Sequence, residues 1–115
     1  MRIKPVKLHT NDLDAVVNFT VDRIKFVYEN HTELMSVLLS ESFHLRTMSG
    51  QVEAVVFKLK ENCVHIDILA GGGGTGLLNL NLGSERSSIS SIVNVLQQFA
   101  AERNVEMEFV ESLNI

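Results

Sequence analysis

Two stretches, Gln51 to Leu59 and Cys63 to Ala70, alternate apolar and polar residues on either side of a short break at Glu61-Asn62. A tight turn at that break pairs Leu59 with Val64, Phe57 with Ile66 and Val55 with Ile68. A third stretch, Leu77 to Leu82, extends the pattern, setting Ile68 against Leu78, Ile66 against Leu80 and Val64 against Leu82. One set of registers therefore places the apolar side chains of three strands on a single face. A one-residue slip in any strand would invert its contribution. An antiparallel meander is the expected result. Its opposite face carries Lys58, His65 and Asn81 in one row and Val56, Asp67 and Asn79 in the next.

The connection between the second and third stretches is Gly71-Gly72-Gly73-Gly74-Thr75-Gly76, which holds five of the chain's seven glycines. Gly71, Gly73 and Gly76 satisfy GxGxxG, but phosphate-binding loops lead into a helix whose free amides hold the anion. Here the following residues alternate as a strand does, and no P-loop lysine is present. The segment is superficially similar to the GGGTG signature of tubulin-like GTPases, which are far longer and continue into a helix. A hairpin connection is expected instead. Ordering so many glycines is entropically costly, which points to close approach of a ligand or a neighbouring subunit. Gly71, Gly72, Gly73, Gly74, Thr75 and Gly76 are thus candidate contact residues, together with His65, Asp67, Asn79 and Asn81 on the adjoining strands. His65 and Asp67 share a face at i and i+2, a spacing open to acid-base or metal chemistry. No nucleophile and no second histidine stands beside them, so a solvated sheet face is the simpler reading.

The rest of the chain reads as follows. Ile3 to His9 is a strand with Val6 and Leu8 on one face, and Pro5 favours an edge or a strand start. Thr10-Asn11-Asp12 offers capping residues for a helix carrying Leu13, Val16, Val17, Thr20, Ile24, Val27 and Tyr28 at helical spacing. Phe19 and Phe26 form a second stripe on it, suited either to a dimer interface or to burial. Thr32 to Ser40 is expected to add a short second helix with Leu34, Val37 and Leu38 inward. Phe43 to Thr47 is a strand joined to the next by Met48-Ser49-Gly50, which sets Phe43 opposite Val55. Ser84 can cap a final helix through Ile89, Ile92, Val93, Leu96, Phe99 and Ala100, with Asn104 as its stop. Val105, Met107 and Phe109 alternate as a last strand.

The expected fold is one α+β domain over residues 1–115. It has an antiparallel sheet in β-α(α)-β-β-β-β-α-β order with the helices packed on one face. That order is similar to the TATA-binding-like and helix-grip folds, and helix-grip members often hold apolar ligands between helix and sheet. Hydrophobic residues at 45% and charged residues at 21% suit a globular chain. The net charge is -4, and the densest basic group is only Arg2, Lys4 and Lys7, so no nucleic-acid partner is expected. No segment approaches the roughly 20 apolar residues that span a bilayer, and the first residues lack a signal-peptide pattern. The single Cys63 forms no intrachain disulfide or cysteine-rich metal site. A cytoplasmic protein is therefore expected. His9, His31 and His44 are scattered without ligand spacing, and Cys63 reads as a half-buried thiol, so neither metal nor cofactor is expected. Ser84, Ser87, Ser88, Ser90 and Ser91 crowd the start of the last helix, where capping and a solvated face account for them.

From Phe43 to Phe99 the chain resembles a small family of uncharacterised bacterial domains. The shared pattern is a strand, a glycine-rich turn, an apolar strand ending in glycine, and a helix. The matching residues are Ile66 to Leu82 with Gly83. The resemblance implies no known activity. The leading functional expectation is a non-catalytic domain that forms a homo-oligomer or binds a protein partner. A module for an apolar or anionic small molecule is the second, and an enzyme using His65 and Asp67 is the third.

Overall fold

The computed structural model describes residues 2–44, 49–73, 82–110 and 113–114. Its elements run β1 (Arg2–Leu8), α1 (Leu13–Arg23), β2 (Tyr28–His31), β3 (Met35–His44), β4 (Ser49–Lys60), β5 (Cys63–Gly73), α2 (Leu82–Arg103), β6 (Met107–Phe109) and β7 (Leu113–Asn114). The strands form one antiparallel sheet in the order β2-β3-β4-β5-β1-β6, and β7 pairs the start of β1. Both helices lie on one face of it. α2 packs on β5, β1 and β4, and α1 packs on α2 and β4. The α+β class, the element order and the one-sided helices match the expectation.

The β4–β5 hairpin has the register read from the alternation: Leu59 opposite Val64, Phe57 opposite Ile66 and Val55 opposite Ile68. Glu61 and Asn62 close it with φ of 56° and 61°. Positive φ at both central residues is the mark of a type I′ turn, whose twist suits the flanking strands.

Four expectations shift. First, Thr32 to Ser40 is not a helix. Residues 35–40 open β3; α1 ends at Arg23, so Ile24, Val27 and Tyr28 leave the predicted first helix, and Tyr28 to His31 forms β2. Leu34, Val37 and Leu38 fit either period, and short apolar runs do not discriminate. Pairing decides: Leu38 is opposite Val55 in the core, while Ser36 and Ser40 share its face. Second, Phe43 is opposite Gly50 and not Val55, because β3 starts early and His44 pairs with Ser49. Third, β1 and not residues 77–82 occupies the free edge of β5, placing Leu8 beside Val64 and Val6 beside Ile66. Leu77 to Asn81 lies outside the described residues. Leu82 and Gly83 open α2, so Ser84 falls inside its first turn rather than capping it. Fourth, Gly71, Gly72 and Gly73 belong to β5 and pair with Val52, Gln51 and Gly50. Gly74, Thr75 and Gly76 lie outside the described residues.

α1 begins where the Asp12 carboxylate accepts from the Ala15 amide at 3.1 Å. α2 stops at Asn104, which takes φ of 54°, while the Val105 amide returns to the Ala100 carbonyl at 2.9 Å. That return bond satisfies a carbonyl the helix leaves open. Between the layers lie Val6, Leu8, Leu38, Val55, Phe57, Val64, Ile66 and Ile68 from the sheet, with Val16, Val17 and Phe19 from α1 and Ile92, Leu96 and Phe99 from α2. Phe57 sits at the centre of this cluster and is fully buried. Replacing it with Ala is expected to cost about 3–5 kcal/mol in urea denaturation. Recasting the turn as Glu61→Asn with Asn62→Gly is expected to add about 1 kcal/mol, by easing two left-handed backbones. A Phe57→Ala loss under about 1 kcal/mol would place the centre of the core elsewhere.

Candidate functional site

The face of the sheet turned away from the helices is built from the alternate residues of the same strands. Register sets Tyr28, Leu39, Ala54, Leu69 and Ile3 in one row across β2, β3, β4, β5 and β1. Asn30, Val37, Val56, Asp67 and Pro5 form the next row. Val52 extends the surface at one end, and Val110, whose amide donates to the Pro5 carbonyl at 3.1 Å, borders it at the other edge. Val52 and Val110 are each 49% exposed. An antiparallel sheet with one solvated face normally alternates apolar and polar. Here the second side carries Val37 and Leu39 of β3, Val52, Ala54 and Val56 of β4 and Leu69 of β5, and the described residues place no element over it.

His65 and Asp67 stand on this face, partly exposed, one residue row apart. His65 lies between Lys58 and Lys7 on the flanking strands, and Asp67 lies diagonally between the same two lysines. The His65 Nε2 atom is buried beneath its neighbours and has no hydrogen-bond partner among the described residues. Asn79 and Asn81 lie outside the described residues, and β1 supplies the neighbours on that edge of β5. Phe19 is taken into the core, edge-on to Phe99 with ring centroids 5.4 Å apart and capped by Arg23 at 3.3 Å. Phe26 packs partly buried against the same core. Phe57, Ile66, Ile68, Leu96 and Phe99 are buried beneath α2. A groove of about 580 Å³ lies between the helices, lined by Asn18, Asp22, Arg23, Glu102 and Arg103 among others.

Two polar groupings went unseen in the sequence. Under α2, Ser40 donates to Glu53 at 2.9 Å, and Gln51 donates to Glu53 at 3.3 Å and to Ser88 at 2.6 Å. Glu53 and Gln51 are almost fully buried, so these bonds offset their desolvation and tie β3, β4 and α2 together. Their strand positions read as ordinary polar alternates; only the sheet order shows that they face inward. At the opposite end of the sheet His9 and Glu108, 99 residues apart, meet with Nε2 and Oε1 2.8 Å from each other. The β1–β6 register, with Lys7 opposite Glu108, brings them together. The His9 hydrogen bond holds the Glu108 carboxyl below its ordinary range; slight desolvation opposes this, and charge on His9 and Lys7 adds to it.

No protein-family model, curated protein or solved structure matches the chain.

Because the Glu108 pKa is depressed, whatever stability the pair contributes is present above the unfolded pKa. It is lost as pH falls through the folded one. A carboxyl-detected NMR titration is expected to give a Glu108 midpoint below that of an unperturbed glutamate, rising toward it in His9→Ala. A midpoint unchanged by the substitution would remove the His9 hydrogen bond as the cause.

Proposed function

We propose that the protein is a non-catalytic domain that acts by self-association, with two copies meeting through the uncovered faces of their sheets. The observation that carries this reading is the apolar character of the second face: Val37, Leu39, Val52, Ala54, Val56, Leu69, Ile3 and Pro5 in adjoining positions. Water against such a surface is unfavourable by about 25 cal/mol per Å². A second copy is the occupant because the surface is self-complementary in charge as well as apolar. Lys58, Lys60 and Lys7 stand at one end of the strands, with Glu108 at its border opposite Lys7, and Glu41 stands at the other end. A two-fold axis in the plane of the sheet and across the strands lays each end over its opposite in the partner.

Magnitude decides the strength of the contact. Five strand spacings and six residue steps give a face of about 24 by 20 Å, or about 500 Å² per copy. Stable interfaces bury about 800 Å² per partner, and transient ones less. The dimer is accordingly weak and reversible. Phe19 and Phe26 are engaged within the protomer. A cytoplasmic setting fits the single free thiol of Cys63. Among the described residues no helix is long and apolar enough to cross a membrane.

Sedimentation velocity over a range from about 1 μM to 1 mM, bracketing weak transient affinities, is expected to show a monomer giving way to a dimer. Val52→Lys and Val56→Lys are expected to abolish the dimer. Leu34→Lys, exposed but in the β2–β3 turn, is expected to leave it intact. A monomer throughout, or equal sensitivity to Leu34→Lys, would overturn the reading.

A further inference from the structure

We infer that His9, Glu106 and Glu108 form a binding site for a divalent transition-metal cation of the zinc class. One donor atom from each of the three side chains lies within 4.8 Å of the others. The backbone holds the three in place. His9 directly follows β1, and its amide donates to the Glu106 carbonyl at 2.9 Å. Glu108 is paired across from Lys7. Glu106 and Glu108 are two residues apart on an extended segment, which turns both carboxylates to one side.

A surface ion pair explains His9 and Glu108, but it leaves Glu106 unexplained. Two carboxylates at this distance repel one another unless a cation lies between them. His9 supplies a nitrogen donor to the same point, and its Nε2 already faces Glu108 at 2.8 Å. The other ring nitrogen, Nδ1, is 3.8 Å from the Cys63 sulfur. A metal on Nε2 requires the proton on Nδ1, and the sulfur stands where that proton points. Metal-binding histidines are commonly oriented through their second nitrogen in this way. Cys63 is therefore a positioning residue, not a ligand.

The donor set selects the ion. Two carboxylate oxygens alone would suit calcium or magnesium, which prefer six or more oxygens. An imidazole nitrogen with two carboxylates instead fits four-coordinate zinc at about 2.0–2.2 Å, with the last position left to water or to a donor from another molecule. All three residues are exposed, so the ion enters without opening the fold. The site lies at the border of the uncovered face, and its occupancy does not depend on dimer formation.

Isothermal titration of the metal-free full chain with Zn²⁺ is expected to show one ion per chain. Co²⁺ in its place is expected to give the visible absorption of a low-coordinate site. His9→Ala and the isosteric Glu106→Gln are each expected to weaken binding by about 100-fold, and Cys63→Ser by about 10-fold. His31→Ala, which removes the comparable His31–Glu29 pair, is expected to change nothing. Histidine-ring ¹⁵N spectra are expected to move at His9 Nε2 on adding Zn²⁺. Absence of saturable one-to-one binding would overturn the inference. So would affinity equal to that for Ca²⁺, binding that survives His9→Ala, or a loss confined to Cys63→Ser. Dimerisation is read separately by sedimentation, so the monomeric Val52→Lys variant is expected to bind the metal as the parent chain does.

Discussion

The ladder between β4 and β5 determines nearly everything else in this molecule. It runs through eleven opposed residues, from Gly50 against Gly73 to Lys60 against Cys63. The two left-handed residues Glu61 and Asn62 fix its phase. Because side chains alternate with a period of two, that phase decides which residues meet the helices and which do not. Val55, Phe57, Ile66 and Ile68 then face α1 and α2, and β1 docks on β5 with Val6 and Leu8 extending the same surface. Shifting the ladder by one residue would bury Lys58, His65 and Asp67 and expose Phe57. The hydrophobic cost of that exchange makes the register unambiguous.

The same phase gives the sheet two unlike apolar sides. One is sealed by helices and finished at one end by Ser40, Gln51, Glu53 and Ser88, whose hydrogen bonds cross from β3 and β4 to α2. The other is broad, shallow and uncovered. His65 and Asp67 stand on an interior strand of that second side, and His9, Glu106 and Glu108 gather where strands end, at the turn after β1 and the start of β6. There, backbone pairing and not core packing holds them in place. This arrangement lets the proposed surface contact and the proposed metal-binding group occupy neighbouring positions without either disturbing the core.

Legibility followed the range of the interactions. The β4–β5 register was readable because a two-residue turn makes it local, and the end of α2 was readable because Asn104 is a local stop. The path of residues 28–40 was not. Leu34, Val37 and Leu38 satisfy helical and strand spacing alike, and the choice rests on Leu38 meeting Val55. The position of β1 was hidden for a related reason. Leu78, Leu80 and Leu82 have the same alternation as Val6 and Leu8, so periodicity offered β5 two equivalent partners. Of the expected site residues, His65 and Asp67 do share a face, while Phe19 and Phe26 are drawn toward Phe99 and the core. His9, Glu106 and Glu108 have no sequence signature, because a separation of 99 residues between His9 and Glu108 erases any spacing rule. Only the antiparallel return of β6 onto β1 brings them together.

The place of β1 between β5 and β6 has a consequence for how the chain is made. Of the strands in this sheet β1 is translated before the others yet ends in its interior, and the strands it pairs with are translated much later. At about 5–20 residues per second, several seconds separate the emergence of Leu8 from that of its partner Val64. During that interval the nascent chain carries an orphan strand with Val6 and Leu8 unsheltered, while β2, β3 and β4 can assemble among themselves. Completion waits for a long-range closure, and such closures are slow. Synthesis is therefore when β1 is most exposed, and a chaperone that shields that strand until β5 follows would have the most to contribute.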